Sequence, residues 1–214
     1  MKKALALFLL AATTSAFSQG QVVFNNKASA FEIDAPISYS GGGPVPAGLR
    51  PDPTVDIPYG PYHFGGINAM AGLYYGVPGT AENQLAILVP AVPFRSGIAA
   101  GYVDAGTAAR IVDGIPIGAP AIFQVRSWDT GTSRAASYEE AVSQINAQGI
   151  GYYGVGNIIS IPSLGGPPYP PSVLLDAQPI GMQPLGMQFV PEPSVIGLGL
   201  LGAAAGIVVF RRRE

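Results

Sequence analysis

The sequence predicts a mainly β protein: an antiparallel β-sandwich or jelly-roll-like domain with one short helix, flanked at both ends by apolar segments. Three observations predict it. Eight short segments alternate apolar and polar residues with a period of two. Glycine (29) and proline (21) are dense enough in the 214 residues to separate those segments with turns. Only one stretch, 137–148, shows helical periodicity with a cap at each end.

The first segment, 21–26, sets Val22 and Phe24 on one face. Residues 31–39, 67–76, 85–92, 98–103, 121–129, 150–161 and 185–190 read as further strands. Pro36 and Pro90 interrupt their runs, which places those points at edges, bends or strand ends. In the helix, Ser137 is the expected N-cap, with Glu140 three residues on completing a capping box. Tyr138, Ala141, Val142 and Ile145 fall on one face, and Gly149 stops the helix. That face is expected to lie on a sheet or to close one end of the domain. Residues 44–61 hold six prolines and read as a long, stiff loop, and 165–171 as a second one.

Composition narrows the function classes. Between residues 19 and 189 there are six basic residues against eleven acidic ones, a net charge of −5. No basic stripe is present to neutralise phosphates, so nucleic acid is not an expected partner. The absence of cysteine excludes disulfides, thiolate nucleophiles and Cys-ligated zinc. Packing alone must hold the domain together.

The two ends carry addresses. Lys2 and Lys3 precede a short apolar run at 4–12, and small residues Ala16 and Ser18 follow a polar stretch. This is the three-part pattern of a signal peptide over residues 1–18, with cleavage between Ser18 and Gln19. The run is well short of the ~20 residues of a spanning helix. At the other end, residues 195–210 are apolar and are followed by Arg211, Arg212 and Arg213. At 1.5 Å per residue this segment reaches about 24 Å, against a hydrocarbon core of ~30 Å. It spans a bilayer only with snorkelling or local thinning, and the arginines hold its end in the cytoplasm.

Pro191, Glu192 and Pro193, the glycine-rich apolar helix and the terminal basic cluster occur in that order. Residues 190–214 thereby resemble the PEP-CTERM sorting signal of Gram-negative exported proteins. The resemblance implies recognition by an exosortase, a membrane protease-transpeptidase, and then removal of the tail with release or attachment at the surface. A permanent single-pass anchor is the alternative. Residues 19–189 are also similar to a group of exported PEP-CTERM proteins. The shared features are Gly20, Gln21, Val22 and Phe24 at the start, a GLYYG strand at 72–76, a QVRSWD strand at 124–129 and an SYEEA helix start at 137–141. These are family markers and imply no activity. Proteins with such tails are typically associated with exopolysaccharide.

Residues able to carry a reaction are few. His63 is the sole histidine, so any Ser-His-Asp triad must pass through it, and no G-x-S-x-G elbow occurs. Asp52 and Asp56 share one loop and Asp104 and Asp113 flank another turn region, and neither pair fits an EF-hand spacing. No catalytic residue, metal or cofactor is expected. Alternation puts Gln124, Arg126 and Trp128 on one face of their strand and Phe123 and Val125 on the other. The expected place for Trp128 is a core beneath the helix, and the competing one is a surface ring that stacks on a sugar. The expected function is that of a non-enzymatic cell-envelope or extracellular-matrix protein. The alternative is a carbohydrate-binding module for exopolysaccharide. Expected partners are signal peptidase, an exosortase-type protease and the membrane.

Overall fold

A computed structural model describes residues 19–28, 33–106, 108–173 and 181–191. The expected signal peptide, residues 1–18 including Ser18, lies outside the described residues, as do Glu192, Pro193, the apolar run 195–210, Arg211, Arg212 and Arg213. Among the described residues no helix is long and apolar enough to cross a membrane.

The described residues are mainly β, with one α-helix among them. In order, the strands are β1 (Gln19–Val23), β2 (Lys27–Ala28), β3 (Ile33–Asp34), β4 (Ile37–Tyr39), β5 (Asp56–Tyr59), β6 (Tyr62–Gly65) and β7 (Ala69–Gly76). They continue as β8 (Ala86–Pro93), β9 (Ala109–Pro116) and β10 (Ala121–Asp129). Helix α1 (Tyr138–Gln148) follows, then β11 (Gly151–Val155), β12 (Ile159–Ile161), β13 (Ser172–Val173) and β14 (Leu185–Val190).

Seven strands form the main sheet, in the order β4-β14-β11-β10-β7-β8, with β12 also paired to β10. All its ladders are antiparallel except β14 with β4. A three-stranded sheet, β13-β1-β9, and the hairpins β2-β3 and β5-β6 complete the body. One apolar cluster joins the two larger sheets: Val22, Val112 and Ile115 from the smaller meet Leu73, Phe123, Val125, Tyr152 and Met187 from the larger. At about 25 cal/mol per Å² of apolar surface removed from water, this cluster is the main favourable contribution to folding in a chain without disulfides.

The alternation in β10 comes out as read, with Phe123 and Val125 in the inter-sheet core. Its opposite face is covered as well, so all nine residues of β10 are buried. The cover is α1, which starts and stops where its caps dictate. The Ser137 hydroxyl accepts from the Glu140 amide at 3.2 Å, and Gly149 takes the left-handed conformation at φ 75°. Glu140 reaches back one residue further than a standard capping box, its Oε2 accepting from the Ala136 amide at 2.8 Å. Ala141 and Ile145 are the residues α1 buries.

Three expectations need correction. Residues 98–103 are not a strand. Gly97–Ala99 is a 3₁₀ turn, and only Val103 bridges to Phe94. There Ile98 is fully exposed, so its apolar character reflects no core face. The proline-rich stretch 44–61 is not loop throughout, because Asp56–Tyr59 pairs with Tyr62–Gly65 as a hairpin that turns at Gly60. The expected single strand 150–161 is two, β11 and β12, both paired to β10. At the break the Gly156 amide donates to Val125 O at 2.8 Å, and the Gln124 side chain fills the gap by donating to Gly156 O at 3.1 Å. Pro36 does separate two strands, β3 and β4, and Pro90 sits in the edge strand β8, where a missing N–H costs no ladder bond. Strand β9 was not expected: its pattern is interrupted by Gly114 at φ 74°.

Candidate functional site

The face of β10 turned toward α1 carries an unusual set of side chains for a buried layer: Gln124, Arg126 and Trp128. Their placement follows from pairing. Gln124 lies opposite Tyr74 on β7, and Trp128 lies between Met70 on β7 and Tyr153 on β11. Helix α1 then sets Tyr138 and Glu139 over them.

Arg126 is the centre of this arrangement, with its side chain only 7% exposed. Its Nε donates to Gln124 Oε1 at 3.0 Å, its Nη1 to Glu139 Oε1 at 2.8 Å and its Nη2 to the Glu82 carbonyl. The guanidinium also lies 4.1 Å from the centre of the Tyr74 ring and 5.3 Å from that of Tyr138. A buried cation is tolerated only with such a complement of acceptors and ring faces. The Tyr74 hydroxyl donates to Glu139 Oε2 at 2.7 Å and accepts from the Tyr138 amide at 3.1 Å. Burial, then the Glu139 acceptor, push that hydroxyl above its ordinary value, so it stays a donor.

Outside this buried layer a groove of about 380 Å³ opens, lined by Asn83, Arg126, Tyr138, Glu139, Val142 and Tyr153. Glu139 is 59% exposed and has both oxygens engaged on the inner side, which leaves lone pairs toward the groove. The Tyr138 and Tyr153 rings meet edge to face with centres 5.9 Å apart. Among the described residues, the Tyr138 and Tyr153 hydroxyls and the Asn83 amide make no hydrogen bond within the chain. The groove thus combines aromatic surface with unspent donors and acceptors, the usual lining of a site for a polar ring-shaped ligand.

Trp128 itself is fully buried, packed with Met70, Ala135 and Ala141 and with its ring centre 6.4 Å from that of Tyr138. Its ring has no face to offer a sugar. The sugar-stacking role considered for Trp128 is therefore corrected, because α1 covers that face of β10. The half-buried aromatic residues beside it, Tyr138 and Tyr153, are the ones sequence reasoning missed. A signal exists for Tyr138, which lies on the helix face expected to rest on a sheet.

The remaining candidates lie apart from the groove. His63 is on the exposed hairpin, its Nδ1 3.0 Å from Asp56 Oδ2. Asp52 is spent on structure: its Oδ1 accepts from the Thr54 amide and hydroxyl, and its Oδ2 from the Gly97 amide at 2.7 Å. Asp104 faces Arg95 at 3.7 Å. Among the described residues no three His, Asp or Glu side chains converge as a metal site. Gln19 is the first residue of β1, and Pro191 is exposed directly after β14.

Compared with family models, with curated proteins and with solved structures, the chain matches none. What the groove can hold is thus argued from its own chemistry.

Proposed function

We propose that this is an exported, non-enzymatic cell-envelope or extracellular-matrix protein, sorted through a PEP-CTERM tail, whose body is a β-sandwich of jelly-roll type. The observation that supports it is the coincidence of the folded body with the two expected processing points. Gln19, the residue after the expected cleavage, already pairs with Pro116 of β9, and β14 ends at Val190, immediately before Pro191. The apolar cluster between the seven-stranded and three-stranded sheets supports the sandwich. Signal peptidase removes residues 1–18, and the tail holds the protein in the inner membrane with Arg211, Arg212 and Arg213 in the cytoplasm. An exosortase-type protease then cuts near Pro191–Ser194, and the domain passes to the surface or matrix.

Mass spectrometry of the protein recovered from the envelope tests this at both ends. The expected mature chain starts at Gln19 and lacks Arg213. Glu192→Ala should leave export intact and hold the uncut form in the membrane. Wild-type chains that retain Met1 would overturn the export step, and chains that retain Arg213 would reduce the tail to an anchor.

A second reading, carbohydrate binding, is favoured by the groove of Tyr138, Tyr153, Asn83 and Glu139. The domain would then hold the protein to exopolysaccharide after release. Retention of the purified protein by an exopolysaccharide preparation tests it.

A further inference from the structure

We propose that the groove between α1 and β11 binds a neutral sugar ring, with Glu139 and Asn83 holding its hydroxyls and Tyr138 and Tyr153 packing on its C–H face. This rests on the carbohydrate-binding reading and adds the site and the charge class of the ligand.

Charge balance selects the class. Arg126 and Glu139 neutralise each other at 2.8 Å, so the site presents no net charge to a ligand. A cation such as a quaternary ammonium would normally suit clustered tyrosines, but the Arg126 guanidinium, 4.1 Å from the centre of the Tyr74 ring and 5.3 Å from that of Tyr138, sets a like charge beside them. An acidic sugar fares worse. Three of the five Arg126 N–H groups are directed at Gln124, Glu82 and Glu139, and its side chain is only 7% exposed against 59% for Glu139. A ligand carboxylate there would meet the exposed Glu139 carboxylate ahead of the buried guanidinium. A neutral polyol meets neither obstacle.

The available groups match a sugar in kind as well as charge. The outward lone pairs of Glu139 accept from hydroxyls, and a charged acceptor makes the stronger bond. Asn83 both donates and accepts, as a hydroxyl does. The tyrosine rings supply apolar surface for the ring carbons, with hydroxyls at their rims. Arg126, Gln124 and Tyr74 lie behind and act as positioning residues: they fix Glu139 from the inner side and so spare its outer lone pairs.

The full chain, purified in mild detergent, is run in native gels containing dextran, galactomannan or alginate. The expected result is retardation by at least one of the two neutral polysaccharides and none by the polyuronate. Combining Asn83→Ala with Tyr153→Phe removes two polar tips and leaves the packing, and should weaken retardation about tenfold or more. Glu139→Gln should weaken it at least as much, with thermal melting followed in parallel to establish that the variant is folded. Retardation by the neutral polysaccharides that survives in the folded variants would overturn the groove while leaving carbohydrate binding intact. Retardation by alginate alone would overturn the neutral class, and retardation by none of the three would overturn both the groove and the reading beneath it.

Discussion

The Tyr39 hydroxyl donates to Asp129 Oδ2 at 2.6 Å, tying β4 to the end of β10, two strands that share no ladder. The Gly65 amide donates to the same oxygen at 2.6 Å and the Gly131 amide to the other at 3.0 Å. One buried carboxylate therefore joins β4, the β5-β6 hairpin and the turn that leads to α1. Burial pushes Asp129 up to about 6, although these three donors favour its charged form. A carboxyl raised in the folded state binds its proton more tightly there than in the unfolded chain. Its contribution is then most favourable below about pH 4 and is lost as pH rises to about 6, by on the order of 3 kcal/mol. Urea unfolding of wild type and Asp129→Asn between pH 4 and 7 should show this slope only in wild type. Equal slopes would mean that Asp129 does not titrate there.

Asn26 should be among the least replaceable residues. Its Nδ2 donates to Ala35 O and Gly101 O, both at 3.0 Å, and its Oδ1 accepts from the Val103 amide at 2.9 Å. Asn26→Ala leaves the Ala35 carbonyl and the Val103 amide unpaired, while Gly101 O keeps its bond from the Ile37 amide, and should cost about 2 kcal/mol or more. Asn26→Asp should be no better, since it sets a carboxylate against two carbonyls. Chemical denaturation measures both.

Trp128→Ala should cost ~3–5 kcal/mol, the range for emptying a buried aromatic site. Trp128→Phe should cost much less, because the indole N–H is buried without an acceptor among the described residues. If Trp128→Ala melts like wild type, the layer beneath α1 is not packed as described.

At the ends of α1 the expected effects differ by position. Ser137→Ala removes the N-cap acceptor and should cost about 1 kcal/mol. Gly151→Ala should cost more, because its Cβ would overlap Ile145 where the helix rests on β11. The reverse order in thermal melts would indicate that α1 stands off the sheet.

Much of this architecture was legible from local pattern. Strand β10 and the caps of α1 are written in contiguous residues, so alternation and capping chemistry found them. The same alternation placed Gln124, Arg126 and Trp128 together, and the helix signal placed a cover over them. Other parts depend on contacts distant in sequence. Ile98 looks like a strand residue but is lifted out by a turn at Gly97, whose amide is held by Asp52. Asp129 gave no sign of its role, because its partners are 64 and 90 residues away. The groove escaped for a related reason: Asn83 and Tyr153 become neighbours of Glu139 only after β7, β10 and β11 are paired. Trp128 belongs with the legible part, because alternation and the helix signal together set it in a core beneath α1, where it is fully buried.

Strand β14, the last of the described strands, is inserted between β4 and β11, and among the described residues it is the one strand of the main sheet that pairs with β4. Synthesis delivers β4 early and leaves it without a neighbour in that sheet until residues 185–190 emerge. A prematurely ended chain would therefore keep two open strand edges and a gap in the core where Leu185 and Met187 belong. The main sheet cannot close before residues 185–190 have emerged, so its fold acts as a check on synthesis up to that point. Only chains that reach Val190 can complete the ladder between β4 and β11.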